Sequence, residues 1–325
     1  MLGYYIVAMG PPRLTPEQLQ KLHVLEPSLR AATVKGDYES ARDYALQIQD
    51  ILRATGHETR LMQSKIWLFE AAMEAGHMDV AVPGFVGVRK KTSEGSRVHL
   101  EATALLAICY LRQKKLAEAE PLVAEVLRSR NIRSESRRRH FVRRMVCRFE
   151  EEGLLAALTG HRQEQLNAGE IQDLAAALVR TKNEDEILFE LGGSLPPESI
   201  TFLLKVDSMA KRGLTKKEVL YLPGEAQIME KAELGRTAFR SFKRVLWNSL
   251  CDPESDIYKA WFSHGLNYVL ERKYLGLAVA AALLNLGIGI KALAISAVAL
   301  VMKFGIEVYC DRFKPDFVMD ARSSE

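Results

Sequence analysis

The sequence predicts an all-α protein, and three observations lead to this fold class. Apolar residues recur at the three- and four-residue spacing of amphipathic helices through most of the 325 residues. A helix-turn-helix unit recurs three times between residues 22 and 127. Close to the C-terminus, a nearly unbroken apolar tract covers residues 275–306, and its only polar residues are Asn285, Lys291, Ser296 and Lys303.

The repeated unit has a short signature between two apolar helices. A turn pair is followed by a helix start and then by an alanine, which is small enough for two helices to approach closely. After each alanine, apolar residues at the fourth and seventh positions extend one helical face, as Phe85 and Val88 do after Ala81. The three copies are Gly36-Asp37-Tyr38-x-x-Ala41, Gly76-His77-Met78-x-x-Ala81 and Lys114-Lys115-Leu116-x-x-Ala119.

This pattern resembles the tetratricopeptide repeat family of helix-turn-helix solenoids. The third copy matches best, because Ala107 and Tyr110 lie at the small and aromatic positions of the family's first helix. The first two copies depart further, and the intervals of 40 residues from Gly36 to Gly76 and 38 residues from Gly76 to Lys114 exceed the family's 34. The resemblance implies a concave surface for a protein or peptide partner, and a generic α-solenoid is the alternative. The expected repeat core includes Tyr38, Ala41, Ala81, Phe85, Ala107, Tyr110 and Ala119.

An arginine-rich segment follows the repeats, since residues 128–148 hold nine arginines. Phe141, Met145 and Phe149 recur at helical spacing, which predicts an amphipathic helix with the basic residues on its outer face. Clustered arginines can bind the phosphates of an anionic membrane or of nucleic acid. The favoured interpretation is a solvated face, and no nucleic-acid recognition fold accompanies it. The basic patch comprises Arg137, Arg138, Arg139, Arg143 and Arg144.

Further helices are predicted between the arginine-rich segment and the apolar tract. Two acidic runs, residues 150–152 and 183–186, are expected to cap or solvate helices. Pro197 suits the first turn of a helix, and two more helices are expected over about residues 223–251 and 255–273. The predicted domains are a repeat domain with a basic helix at its end (1–160), a helical middle domain (161–266) and a hydrophobic hairpin with its tail (267–325).

The apolar tract is predicted to be a helical hairpin that breaks at Gly287 and Gly289, because each glycine weakens a helix by roughly 1 kcal/mol. An arm over residues 274–286 would be about 20 Å long, short of the roughly 30 Å core of a bilayer. An arm over residues 292–310 would approach that length. The tract is therefore a membrane-associating hairpin, which we favour, or the buried core of a C-terminal domain. Its expected key residues are Leu275, Leu284, Asn285, Gly287, Gly289, Lys291, Leu300 and Lys303.

The sequence shows no motif typical of catalysis or cofactor binding, so we expect that the protein is not an enzyme. The sequence contains neither a phosphate loop nor a dinucleotide fingerprint, and its seven histidines are scattered. No catalytic residue, cofactor or metal site is therefore predicted. Cys109, Cys147, Cys251 and Cys310 lack CxxC spacing, and we expect four reduced thiols in the cytosol. The apolar residues 2–7 are predicted to be a docked extended segment rather than part of a signal peptide.

The predicted function is a non-enzymatic helical sensor or adaptor in the cytoplasm. Its repeats would bind a protein or peptide, and its hairpin would engage an anionic membrane, the inner membrane of a bacterium. The tail is similar in general character to hydrophobic tails of bacterial sensor and effector proteins, including those in defence against phage. This similarity implies a membrane-disrupting effector, oligomeric if it forms a pore. The first alternative is a soluble scaffold with a buried hairpin. The second, an arginine-mediated nucleic-acid binder, draws little support from a net charge of only +4.

Overall fold

Helices form every regular element of the residues that the structure, a computed structural model, describes: 11–160, 164–212, 231–264 and 273–314. The predicted all-α fold class is therefore confirmed. The expected docked segment at 2–7 and parts of the helices expected over 223–251 and 255–273 lie outside the described residues. The helices are α1 (Pro16–Lys35), α2 (Tyr38–Ala54), α3 (Glu58–Glu74), α4 (Met78–Lys91), α5 (Arg97–Arg112), α6 (Leu116–Arg128), α7 (Glu135–Leu158), α8 (Ala168–Thr181), α9 (Glu184–Gly193), α10 (Pro197–Arg212), α11 (Lys231–Leu250), α12 (Asp256–His264), α13 (Tyr274–Asn285), α14 (Lys291–Phe304) and α15 (Ile306–Arg312).

The described chain divides into two compact units. The first contains residues 11–109 and 118–138, and the second contains residues 110–117 and 139–314. The predicted domain boundaries after residues 160 and 266 do not coincide with this division. Helices α13 and α14 of the predicted hairpin domain pack on α8 of the predicted middle domain, so both segments belong to the second unit.

Helix pairs joined by short turns build the first unit. Helix α1 begins at Pro16, where the Thr15 hydroxyl accepts a hydrogen bond from the Gln18 amide, as N-cap residues do. Helix α1 packs on α2 and α3, and α3 packs on α2 and α4. Leu29 of α1 and Ile48 of α2 have no exposed surface, so the apolar stripes of neighbouring helices meet in one core.

The three predicted signature turns share one geometry. Gly36, Gly76 and Lys114 adopt left-handed φ angles of 67°, 86° and 59°. In each turn the next amide donates a hydrogen bond back to the end of the preceding helix, which is the Schellman arrangement. These bonds run from Asp37 N to Ala32 O (2.9 Å), from His77 N to Ala72 O (2.8 Å) and from Lys115 N to Tyr110 O (2.9 Å). The signature residues therefore end one helix and begin the next.

A fourth turn of the same form lies between α2 and α3 and was not part of the predicted signature. Gly56 has a φ of 69°, and the amide of His57 donates to the Leu52 carbonyl at 3.0 Å. Left-handed glycines thus recur in even steps at residues 36, 56 and 76. A single helix with its turn is the smallest repeating element of this region.

The apolar hairpin forms the core of the second unit. Helix α14 packs on α8, α9 and α13, and Leu293, Ala297 and Leu300 have no exposed surface. The predicted break is confirmed, because α13 ends at Asn285 and Gly287 adopts a left-handed φ of 72° before α14 begins. Amphipathic helices therefore cover an apolar centre, as in the interior of a globular domain.

The second arm of the hairpin is shorter than predicted. Helix α14 ends at Phe304, and Gly305, with a φ of 78°, starts α15 in a direction that differs by 95°. The bend lets α15 pack on α11 as well as on α14. Among the described helices, none alone has the length and apolar character needed to cross a bilayer, and α14 with α15 reaches them only as a bent pair.

A disulfide joins Cys251 and Cys310, so the prediction of four free thiols is wrong for this pair. The bend at Gly305 returns α15 to the end of α11, where the two Cα atoms are 5.4 Å apart. Trp247 supports the same contact, because its Nε1 donates to the Cys310 carbonyl at 2.9 Å. Cys109 and Cys147 are free thiols.

Candidate functional site

The residues of the predicted repeat core hold the helix pairs of the chain together. Tyr38 and Tyr110 are half-buried, and the Tyr38 ring lies 5.0 Å from the ring of His77. These side chains fix the packing of the helices, and a ligand could not reach the most buried of them. The five fully buried members are Ala41, Ala81, Phe85, Ala107 and Ala119.

Polar side chains set the register between α1 and α3. Arg60 donates two hydrogen bonds to the Glu26 carboxylate, from Nε at 2.7 Å and from Nη2 at 3.0 Å, and this contact raises the pKa of Arg60. Thr33 Oγ1 donates to the Trp67 carbonyl at 3.1 Å. Both contacts join residues 34 apart in sequence, so the first helices of successive pairs pack at that spacing.

A groove with exposed apolar side chains lies between α1 and α2 in the first unit. Its cavity has a volume of about 730 Å³. Val24 lines it with 64% of its surface exposed, and Leu19 and Leu46 are also exposed on the same two helices. Acidic, basic and amide side chains form its rim. The lining residues are Glu17, Gln20, Lys21, Val24, Leu25, Gln47, Asp50 and Ile51.

The acidic run at residues 150–152 is buried, which corrects the prediction that it caps or solvates a helix. Glu151 and Glu152 are only 4% and 3% exposed. The run at residues 183–186 does cap a helix, because Asn183 and Glu186 form a capping box at the start of α9. The two runs differ because residues 148–156 of α7 are buried on every side of the helix, whereas residues 183–186 are exposed at the start of α9.

An ion network neutralises the buried glutamates. Glu152 Oε1 lies 2.9 Å from Arg112 Nη2, 3.0 Å from Arg148 Nη2 and 2.8 Å from Arg244 Nη2. Burial alone would raise the pKa of Glu152, but the charges of Arg112, Arg244 and Arg148 outweigh it and hold this pKa far below its ordinary value. Glu152 is therefore ionised at neutral pH and links Arg112, Arg148 and Arg244, which all belong to the second unit.

The basic patch lies on the outer part of α7. Arg137, Arg139 and Arg143 are exposed, whereas Arg138 and Arg144 are half-buried. The apolar stripe that predicted this orientation is in the core, since Phe141, Met145 and Phe149 are all buried. The structure thus separates the arginines near the start of α7 from the glutamates near its centre.

The predicted hairpin residues divide between the core and the surface of the second unit. Leu275 and Leu300 are buried, and Leu284 and Lys291 are half-buried. The Lys291 ammonium group pairs with the Glu170 carboxylate of α8. Glycines form the break between the two arms. The remaining members are the exposed Asn285 and Lys303, the half-buried Gly287 and the buried Gly289.

Within the described residues, no group of three or more histidine, cysteine, aspartate or glutamate side chains is arranged to hold a metal ion. The features that the sequence analysis missed are the glutamate network, the disulfide and the left-handed turn at Gly56. Comparison of the chain with protein families, with curated proteins and with solved structures finds no match.

Proposed function

We propose that this protein is a non-enzymatic interaction scaffold. Its first unit is a tetratricopeptide-like solenoid that binds a segment of a partner protein, and its second unit keeps the apolar hairpin as a buried core. One observation carries the proposal: left-handed turns recur along the first unit, and α1 and α3 pack at a register of 34 residues. The helix-turn-helix unit itself spans 40 residues from Gly36 to Gly76, so the arrangement is tetratricopeptide-like with a repeat longer than the family's 34 residues. Such stacking leaves an extended face for a partner.

The groove between α1 and α2 is the proposed contact region. An apolar floor with a polar rim is the composition found at the centre and edge of protein interfaces. Val24 provides exposed apolar surface in this groove, where the charged Glu17, Lys21 and Asp50 lie around it. A peptide that places an apolar side chain beside Val24 would bury surface that is otherwise in water.

A paired substitution tests this proposal. The full chain is immobilised, its partner is recovered from an extract of the source organism, and the affinity of that purified partner is then measured. We expect Val24→Asp to weaken binding at least tenfold, about 1.4 kcal/mol, because a charge would be desolvated in the groove. Leu174→Asp, at an exposed leucine of α8 in the second unit, is the matched control and should bind as the native protein does. Equal affinities for both variants would contradict the proposal.

Membrane association is the second candidate. The apolar composition of α13 and α14 supports it, as does the bent pair α14–α15, which together reaches the length and composition of a span. A membrane-disrupting effector would be one form of this function. Fractionation of the expressed protein with carbonate and detergent washes separates the candidates: the scaffold predicts recovery in the soluble fraction, and an inserted hairpin predicts retention through carbonate.

Leu300→Lys adds a second discriminating measurement. Leu300 has no exposed surface in the second unit, so the scaffold predicts that a lysine there unfolds this unit in buffer without any lipid. The membrane candidate predicts a folded variant that fails to insert.

A further inference from the structure

Positive charge is concentrated where α7 faces α11, and neither the repeats nor the hairpin accounts for it. Arg143, Cys147 and Glu150 follow one another on α7 at steps of four and three residues, so they share one helical face. Arg240 and Lys243 share a face of α11 for the same reason. The pair between Arg240 Nη2 and Glu150 Oε2, at 2.9 Å, joins the two faces. Arg143 therefore lies one turn before Cys147 on α7, and Glu150, one turn after Cys147, holds Arg240. Lys243 lies one turn from Arg240 on α11.

Of these three cations, Arg240 pairs with the Glu150 carboxylate. The glutamates at residues 150–152 are engaged by four arginines, Arg112, Arg148, Arg240 and Arg244. Among the described residues, Arg143 and Lys243 have no carboxylate partner. They add two further positive charges to the same face.

The electrostatics of Cys147 agree with this arrangement. Burial raises the pKa of its thiol, whereas the charges of Arg240, Lys243 and Arg143 act to lower it and Glu150 adds to the rise. All three cations thus act on one sulfur atom. Cys147 is half-buried, and Arg143 and Arg240 are exposed, so a small anion can approach from solvent.

We propose that Arg143, Arg240 and Lys243 form a binding site for a phosphate group beside Cys147. Guanidinium groups present parallel N–H donors that match two oxygens of a phosphate, and lysine adds a compact charge. A phosphate that carries nearly two negative charges matches the two cations Arg143 and Lys243 better than a single carboxylate does. The phosphate belongs to a soluble phosphate compound or to a lipid headgroup, which share this chemistry.

Cys147 provides a direct reporter for the site. Cys109 is buried and Cys251 is bonded to Cys310, so Cys147 is the accessible thiol of the chain. The experiment follows its alkylation by neutral iodoacetamide in the full-length protein while inorganic phosphate replaces chloride at constant ionic strength. A bound phosphate cancels the cationic field and raises the thiol pKa further. The rate should therefore fall saturably by roughly three- to tenfold, because the thiolate is the reacting form.

Two matched variants decide the result. Arg143→Gln with Lys243→Gln should remove the dependence on phosphate, while its circular dichroism spectrum should match that of the native protein. Arg42→Gln with Lys90→Gln removes the same charge from exposed positions in the first unit and should keep the native response. An unchanged alkylation rate in phosphate, or an equal fall in rate for both double variants, would overturn the proposal.

Vesicles distinguish the two sources of phosphate. Phosphatidylcholine vesicles with and without phosphatidic acid are added in place of inorganic phosphate. Slower alkylation with phosphatidic acid as well as with inorganic phosphate supports a headgroup site. Slower alkylation with inorganic phosphate alone supports a site for a soluble phosphate compound.

Discussion

In the first unit, left-handed turns and small apolar residues join successive helices, whereas in the second unit a charged network and a disulfide surround an apolar hairpin. Contacts in the first unit repeat at short, regular sequence intervals, as at Gly36, Gly56 and Gly76. Contacts in the second unit join distant residues, and Arg244 reaches Glu152 across 92 positions. The first unit is therefore stabilised by many modest local interactions, and the second unit is stabilised by a few strong long-range interactions.

Removal of one buried charge should cause the largest loss of stability, and this loss should be confined to the second unit. Glu152→Ala would leave Arg112, Arg148 and Arg244 without their shared carboxylate, and breaking a buried ion pair in this way costs about 3–5 kcal/mol. Hydrogen exchange read by mass spectrometry should show faster exchange in peptides of the second unit and little change in α1–α4. The exposed Glu184→Ala is the control. Equal exchange in the two variants would show that the network adds no stability.

Loss of the disulfide should have the next largest effect. Cys251→Ser should reduce the free energy of unfolding of the second unit by about 2–4 kcal/mol, because the link constrains the unfolded chain over a separation of 59 residues. Urea denaturation is measured with and without dithiothreitol. The difference between native and variant proteins should disappear in the reductant, and Cys147→Ser should match the native protein. A difference that persists in dithiothreitol would assign the effect to packing.

A turn substitution should have a smaller effect, confined to the first unit. Gly76 has a φ of 86°, and an added Cβ would meet no atom within 4 Å, so Gly76→Ala tests backbone conformation alone. We expect a loss of about 1 kcal/mol. Gly95→Ala, where φ is not left-handed, should leave stability nearly unchanged. A loss of stability larger than that caused by Glu152→Ala would contradict the conclusion that the strongest interactions lie in the second unit.

Mild acid should have the smallest effect. The folded-state pKa of Glu152 is lowered, so its stabilising contribution is present above the unfolded pKa and is lost as pH falls toward the folded pKa. Between pH 7 and pH 4 this loss should stay below about 1 kcal/mol and should grow at lower pH. The pH dependence of unfolding in the native protein and in Glu152→Gln measures it. If the free energy of unfolding changes with pH equally in the native protein and in Glu152→Gln below pH 4, Glu152 is not the source of the pH-dependent loss of stability.

Local signals in the sequence predicted much of the first unit. A left-handed turn needs only a glycine and its flanking helices, so Gly36 and Gly76 were identified from spacing. Gly56 was missed because no alanine follows it at the signature position, although it lies midway between the other two. Its equal spacing from both glycines was the available signal.

Long-range contacts in the second unit could not be predicted as fully. Phe141, Met145 and Phe149 predicted the inner face of α7, and continuing that stripe by three residues places Glu152 on it. The sequence could not show which arginines would surround it, because Arg112 and Arg244 come from other helices. The disulfide could not be predicted for a similar reason, because Cys310 lies close to Cys251 only through the bend at Gly305.

Hydrogen exchange of the α14 amides, in buffer and with phosphatidylserine-containing vesicles, tests the central claim most directly. A helix at the centre of a folded unit exchanges through rare opening. The scaffold account therefore predicts that residues 291–304 rank among the slowest in buffer and that vesicles leave them unchanged. Rapid exchange in buffer, with protection gained only on the vesicles, would contradict it and identify the hairpin as a membrane element.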